Sequence, residues 1–364
     1  MKIRTELLRE VKSYADHTPE ATPDILDCSI GTNPYGYSEV VDEAISKFKN
    51  TKLVEYPHSH DVHDAILNYW KGVSNSLQAE NIVLTNGSLG GLHIINNIFR
   101  KPGANVLGFA PSFTNMVEDV ELSGMKYCQI NMSQGGELAQ DVRCMMDELN
   151  EDYSFVYIDR PNNPTGQTMP LDQLDELVTK AESFGVAVVV DEAYGGFIPE
   201  AESAISLFDK HNNLIILRSF SKGLGLAGLR AGYVIAPAEL TFYMRKVSDP
   251  YTFGEFARDV VAAAMNTDER AYSHAGEISQ VKEMVRNACR NKLIVSSTDN
   301  RVPILTITHS DDNANLQELL YKNGVLAVSG AEFRNLGKNS VRIRTPRIEN
   351  ATRLIEAISS LEQK

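Results

Sequence analysis

No stretch of this sequence is densely basic, and no uninterrupted apolar run reaches the roughly 18 residues that a membrane span needs. The formal net charge is −13 over 364 residues. A chain of that sign repels nucleic acid and anionic membranes. Small-molecule partners are therefore expected, and any anionic ligand must be met by a local cluster of positive groups. Cysteine is scarce. Cys28, Cys128, Cys144 and Cys289 stand far apart, without CxxC or Cys/His ligand spacing. That argues against a metal site and for buried free thiols in a reducing compartment. Internal repeats and low-complexity linkers are missing as well. The opening MKIRTELLREVKSYAD reads as an amphipathic charged helix without an apolar h-region, so no secretory signal is expected. The expected location is the cytoplasm.

What is present is a hydrophobic content of 43%, enough for a large core. At roughly 150 residues per domain the length fits two domains. Short apolar runs alternate with longer amphipathic ones. NIVLT (81–85), NVLGF (105–109), SFVYI (154–158), VAVVV (186–190), LIILR (214–218) and GYVIA (232–236) read as strands. Several are apolar throughout, as strands buried on both faces of a mostly parallel sheet are. Helical patterns lie between them at 61–73, 88–99, 114–123, 171–184 and 238–247. This is the rhythm of an α/β layered domain. A long helical pattern at 255–290, strand-like PILTIT (303–308), a helix at 314–323, VLAVS (325–329), SVRIR (340–344) and a closing helix at 350–361 make a smaller α+β domain. The expected division is 41–250 for the large domain, with 1–40 and 251–364 forming the small one.

Four segments carry chemistry. In RSFSKGLGLAGLR (218–230), Lys222 follows a buried-type strand, where ligand crevices form in open α/β sheets. Ser219 and Ser221 flank it with hydroxyls, and Arg230 supplies a planar fork suited to phosphate. An amine in an apolar pocket loses its proton more readily and can then condense with an aldehyde. The bland alternative is a surface lysine in a flexible loop. In RPNNPTGQ (160–167), Asn163 sits in a sharp turn after a strand, although NNPTG alone is often only a turn. In VVVDEAYGGF (188–197), Asp191 ends an apolar strand and Tyr194 follows three residues on. A carboxylate there needs a positive or hydrogen-bonding partner, and the competing role is a helix N-cap. In TNGSLGGL (85–92), a glycine turn opens a helix whose first N–H groups can cradle phosphate.

In this order the four segments resemble the fold type I family of pyridoxal-phosphate enzymes, above all the aminotransferases of the histidinol-phosphate type and their near relative, threonine-phosphate decarboxylase. The likeness runs from LDCSIGTNPYG (26–36) to VRIRTPRIEN (341–350). It implies a class I/II aminotransferase using pyridoxal 5′-phosphate. Lys222 would form the internal aldimine and move the Cα proton, and Asp191 would pair with the pyridinium nitrogen. Asn163 and Tyr194 would bond the phenolate oxygen. Gly87, Ser88, Leu89, Ser219, Ser221 and Arg230 would hold the phosphate. Phe113, in APSFTNM, falls where the family stacks an aromatic ring, or is an ordinary core phenylalanine. Tyr56, in VEYPHSH, matches a tyrosine that reaches the neighbouring subunit's phosphate, which implies a homodimer with shared active sites, or else is a turn tyrosine before Pro57.

The resemblance also implies an arginine for the substrate carboxylate, and Arg342 in SVRIRTPR is the first choice. In a strand Arg342 and Arg344 face one side, so both could enter the cleft. Arg160 stands where relatives carry a small or neutral residue. Three arginines favour a substrate with an additional anionic group, with Asn33 in the GTNPYG turn as a further substrate contact. Leu89 replaces an acidic residue frequent in relatives, and His58 and His60 have no assigned role. The decarboxylase branch's glycine-rich N-terminal signature is missing, yet decarboxylation or racemisation of an anionic amino acid stays open as the alternative. A non-enzymatic regulatory module is disfavoured, because no basic DNA-binding segment is present.

Overall fold

The apolar runs of the first two thirds become strands of one sheet. The computed structural model describes residues 3–11, 22, 24–132 and 138–363. A 3₁₀ turn at Thr5–Leu8 precedes β1 (Leu26–Asp27), α1 (Val40–Lys47) and α2 (Asp61–Tyr69). The large layer follows as β2 (Ile82–Thr85), α3 (Gly87–Phe99), β3 (Asn105–Ala110), α4 (Thr114–Leu122), β4 (Lys126–Asn131), α5 (Val142–Glu148), β5 (Tyr153–Asp159), α6 (Leu171–Ser183), β6 (Ala187–Glu192), β7 (Leu214–Ser219) and β8 (Gly232–Ile235). Then come α7 (Ala238–Arg245), α8 (Glu255–Met265), α9 (Ala275–Ala288), β9 (Leu293–Val295), β10 (Ile304–His309) and α10 (Leu316–Lys322). The chain ends with β11 (Val325–Leu326), β12 (Val328–Ser329), β13 (Ser340–Arg344) and α11 (Ala351–Gln363). Among the described residues no helix is long and apolar enough to cross a membrane.

The seven-stranded sheet has the order β2-β8-β7-β6-β5-β3-β4. Its pairs from β7 to β4 are parallel, and β8 runs antiparallel to both β7 and β2. Period-two alternation divides each strand between two cores. Val156, Ile158, Val188, Val190 and Ile216 pack on one face. Phe155, Tyr157, Val189, Ile215 and Leu217 pack on the other, beneath α3. Burial on both faces is why these strands are apolar throughout. Edge strand β4, KYCQIN, buries Tyr127 and leaves its other residues half-buried or exposed. It therefore escapes a search for continuous apolar runs.

The second sheet is antiparallel, in the order β12-β13-β10-β9, and closes a third core with α9, α10 and α11. Several expectations need correction. VLAVS is two strands: β11 pairs with β1, while β12 turns to pair with β13. The long helical pattern at 255–290 breaks after Met265, where Asn266, Thr267 and Asp268 offer the backbone competing side-chain partners. Its first half, α8, packs on α1 and α2 and buries Val260, Val261 and Met265 in the large layer's core, although it lies beyond residue 250. At the other end, β1 joins β11, but the Thr5–Leu8 turn lies on α4, and Arg9 forms ion pairs with Glu118 and Glu121 of that helix. Residues 3–11 thus meet the large layer, contrary to expectation. Only this 3₁₀ turn represents the expected N-terminal helix, and residues 12–21 lie outside the described ones. The four cysteines are free; Cys28 is buried and Cys144 is exposed, so they are not uniformly interior.

Candidate active site

Strand parity assembles the site. Phe155, Tyr157 and Asp159 share one face of β5, as Ala187, Val189 and Asp191 share one of β6 and Ile215, Leu217 and Ser219 one of β7. Three polar residues therefore end three adjacent parallel strands on the α3 side, at the carboxyl edge. A cavity of about 270 Å³ lies there, and Lys222, Ser221, Tyr194, Asn163, Phe113, Ser88, Leu89 and Arg230 line it too.

Asp191 is 3% exposed. Its Oδ1 accepts the Ala193 N–H at 2.9 Å and its Oδ2 the Tyr157 hydroxyl at 3.1 Å. Burial raises its pKa to about 6, against the pull of those two hydrogen bonds and of the Lys222 charge. An acid so placed stays ionised most readily beside a cation. The Lys222 ammonium lies 5.6 Å from the centre of the Tyr194 ring. The Tyr194 hydroxyl is buried and, among the described residues, meets no hydrogen-bond partner. Such an orphan is costly unless a ligand oxygen completes it. A Cβ on Gly31 would stand 2.1 Å from that hydroxyl and 3.5 Å from Arg342 Nη1, so glycine lets the N-terminal segment close over both.

At the other end of the cavity Gly87, with φ +68°, opens α3 and presents its first N–H groups. A Cβ at Gly87 would lie 3.2 Å from Arg230 Nη2. Arg230 itself has a left-handed backbone, φ +51°, which folds its guanidinium back toward the α3 terminus. The Ser219 hydroxyl accepts the Ser221 N–H at 3.1 Å. Helix terminus, hydroxyls and fork together form a cradle for a dianion.

The expected substrate residues fare differently. Arg342 is 2% exposed and bonds Asn163 Oδ1 at 3.2 Å and the Ser29 carbonyl. Its register partners on the neighbouring strands, Thr306 and Val328, are uncharged. Arg344 shares its face, but its guanidinium is committed to the carbonyls of Ile30 and Asp27. Arg160 is a correction. One residue beyond Asp159, it turns to the opposite face, where it bonds Glu192 at 3.1 Å and the carbonyls of Met169 and Glu202. Glu192 also binds Arg218 at 2.8 Å, so the two arginines flank one buried carboxylate away from the cavity. Asn33 uses both polar atoms locally, donating to the Gly223 carbonyl at 3.0 Å and accepting the Tyr35 N–H. It braces the backbone beside Lys222 and does not line the Lys222 cavity. Tyr56 is 68% exposed and stacks on Tyr251. His58 gives its N–H to Glu255, and His60 precedes α2 with its ring near His63.

Two residues escaped the sequence reading. Asp159 lines the cavity beside Asp191, and Tyr157 hydrogen-bonds Asp191. The arrangement that singled out Asp191, an apolar strand ending in a carboxylate, also describes SFVYID.

The fold and site define an α/β protein in which a lysine, a buried carboxylate and a helix terminus with an arginine line one cavity at parallel strand ends. The chain belongs to the class I and II aminotransferase family, whose model matches residues 23–358. It is 28% identical over 345 residues, 93% of this chain and 89% of the relative, to a histidinol-phosphate aminotransferase of Halorubrum lacusprofundi. Among solved structures, the histidinol-phosphate aminotransferase of Clostridium acetobutylicum shares the fold, with TM-score 0.82 at 19% identity, covering 93% of this chain and 99% of that one. So does the Sinorhizobium meliloti enzyme solved in complex with pyridoxal 5′-phosphate, with TM-score 0.76 at 19% identity, covering 93% and 90%.

Proposed function

We propose that this aminotransferase works with pyridoxal 5′-phosphate held at Lys222, and that its amino substrate presents one anionic group to Arg342. The observation that carries the reading is the buried, unpartnered Tyr194 hydroxyl, aligned with Lys222, Asp191 and the Gly87–Arg230 cradle around one cavity. These residues fit the cofactor. Gly87, Ser88, Leu89, Ser219, Ser221 and Arg230 would hold its phosphate, Asp191 its ring nitrogen, Asn163 and Tyr194 its phenolic oxygen, and Phe113 its face. When bound, the cofactor supplies an aldehyde that takes up the substrate amine and a ring that draws in the electron pair released at Cα.

The chain's own residues do the rest. Lys222 Nζ would anchor the cofactor's aldehyde and, as a free amine, would take and return the substrate Cα proton. The Asp191 carboxylate would hold a proton on the cofactor's ring nitrogen. The Arg342 fork orients the substrate, and its bond to Asn163 couples that orientation to the ring. With Arg160 and Arg344 engaged elsewhere, the three-arginine argument for an additional anionic group no longer applies. One fork suits a carboxylate or a phosphate monoester, and the histidinol-phosphate aminotransferases among its relatives favour the phosphate. Exposed Tyr56 with Leu53 and Val54 supports a homodimer in which Tyr56 reaches the partner's cradle.

Purified protein loaded with the cofactor is mixed, in separate runs, with glutamate or with L-histidinol phosphate, while the visible absorbance is followed. Loss of the band and formation of a keto product are expected. Carbon dioxide release, or deuterium entry at Cα without keto product, would replace transamination by decarboxylation or racemisation. A band insensitive to borohydride at Lys222 would remove the cofactor reading.

A further inference from the structure

Asp159 ends β5, and its register partner Asp191 is the last residue but one of β6. Asp159 is 3% exposed. Its Oδ1 accepts from Ser112 Oγ at 3.1 Å and Asn162 Nδ2 at 2.7 Å. Its Oδ2 accepts from the backbone N–H of Phe113 at 3.1 Å and of Asn163 at 3.0 Å. Two of these donors belong to the turn after β3 and two to the turn after β5. Three of the four are N–H groups that can only donate, so both oxygens are called on as acceptors, which suits a carboxylate. One side chain thus stitches together the turn carrying Phe113 and the turn carrying Asn163. Asn163 in turn accepts from Arg342.

We propose that Asp159 is a positioning residue for the cofactor and substrate: its carboxylate sets Phe113 and Asn163 against the ring and adds a negative charge beside Asp191. The proposal rests on the cofactor reading above. Among the described residues, Asp191 on β6, Tyr157 on its own strand and Tyr127 on β4 interact electrostatically with Asp159, and the cations Lys222 and Arg230 line the same cavity. Burial lifts the Asp159 pKa to about 7, while the Asn163 N–H and the Asn162 amide pull it down.

The test is Asp159→Asn, which keeps the shape but turns an NH₂ toward one pair of donors. Fluorescence titration of the cofactor-free protein is expected to show pyridoxal 5′-phosphate binding weakened roughly ten- to hundredfold, the loss that goes with charged hydrogen bonds. The pH midpoint of the visible band of the loaded protein falls, because a charge favouring the protonated chromophore is gone. Ser112→Ala, which removes one donor to Oδ1, gives a smaller weakening and serves if Asp159→Asn does not fold. A merely architectural role would lower the thermal midpoint of the cofactor-free variants yet leave affinity and pH midpoint at wild-type values, and that result overturns the proposal. If the wild-type chain itself takes up no cofactor, the functional reading fails and this one with it. If the wild type binds and the variants match it, only the role of Asp159 falls.

Discussion

Arg342 and Arg344 are two residues apart on β13 and face the same side, yet their guanidinium groups do different work. Arg344 closes on backbone carbonyls of the N-terminal segment, whereas Arg342 reaches Asn163, which lines the Lys222 cavity. Arg342→Ala should therefore lower kcat/KM for the anionic substrate by roughly a hundredfold, the range of a charge-assisted bidentate contact. Arg344→Ala should leave KM near wild type and lower the thermal midpoint instead. Steady-state kinetics and thermal unfolding of both variants check this pair. Asp191 permits a pH prediction. Its pKa of about 6 lies above its ordinary 3.8. The native chain thus binds that proton more tightly than the unfolded chain, and wild-type stability from this group is lost as pH rises through about 6. Cofactor-free Asp191→Asn, lacking the titration, should gain stability relative to wild type between about pH 4 and pH 6 and hold that gain above it. A difference in thermal midpoint that stays flat across this window would contradict the assignment.

At the scale of elements, the parallel strands sort charge by parity. Asp159, Asp191 and Ser219 look into the cavity, while Arg160, Glu192 and Arg218 point to the other face beside Trp70. Glu192 is 1% exposed and holds both arginines. Glu192→Ala leaves two buried cations without their carboxylate and should cost about 3–5 kcal/mol, read by chemical unfolding. The turn from β2 into α3 works through backbone geometry. Gly87→Ala must place a side chain at φ +68° against Arg230, so cofactor affinity should fall well before global stability does. Titration of the cofactor-free variant, alongside its unfolding curve, separates the two effects.

For the whole molecule, Leu53, Val54 and Tyr56 are exposed within four residues of one another. On the dimer reading proposed above, Leu53→Asp combined with Val54→Asp should give a monomer in sedimentation and weaken cofactor binding, because Tyr56 would then have no neighbouring cradle to reach. A wild-type chain that sediments as a monomer would remove the shared-site reading. Glu121 is a second whole-molecule feature. It receives Arg9 from the N-terminal segment and Arg334 from beside the small sheet, so one α4 carboxylate ties three distant stretches together. The pull of both guanidiniums outweighs its burial and keeps its carboxyl below the usual range.

Much of the architecture and the reactive core was legible in the residues themselves. Continuous apolar runs mark doubly buried strands, and a strand followed by lysine, aspartate or a glycine turn marks a crevice, because strand ends are where an open sheet exposes its backbone to ligands. Edge strand β4 escaped because half exposure breaks the apolar run. VLAVS escaped division because nothing local separates a strand that changes partners from one that does not. Only the folded chain decided which arginines reach the cavity. A side chain's facing depends on the phase of its strand and on which remote carbonyls or carboxylates lie opposite. SFVYIDR shows this most clearly: its aspartate and arginine are neighbours in sequence, and the pleat sends one to the active site and the other to the opposite core.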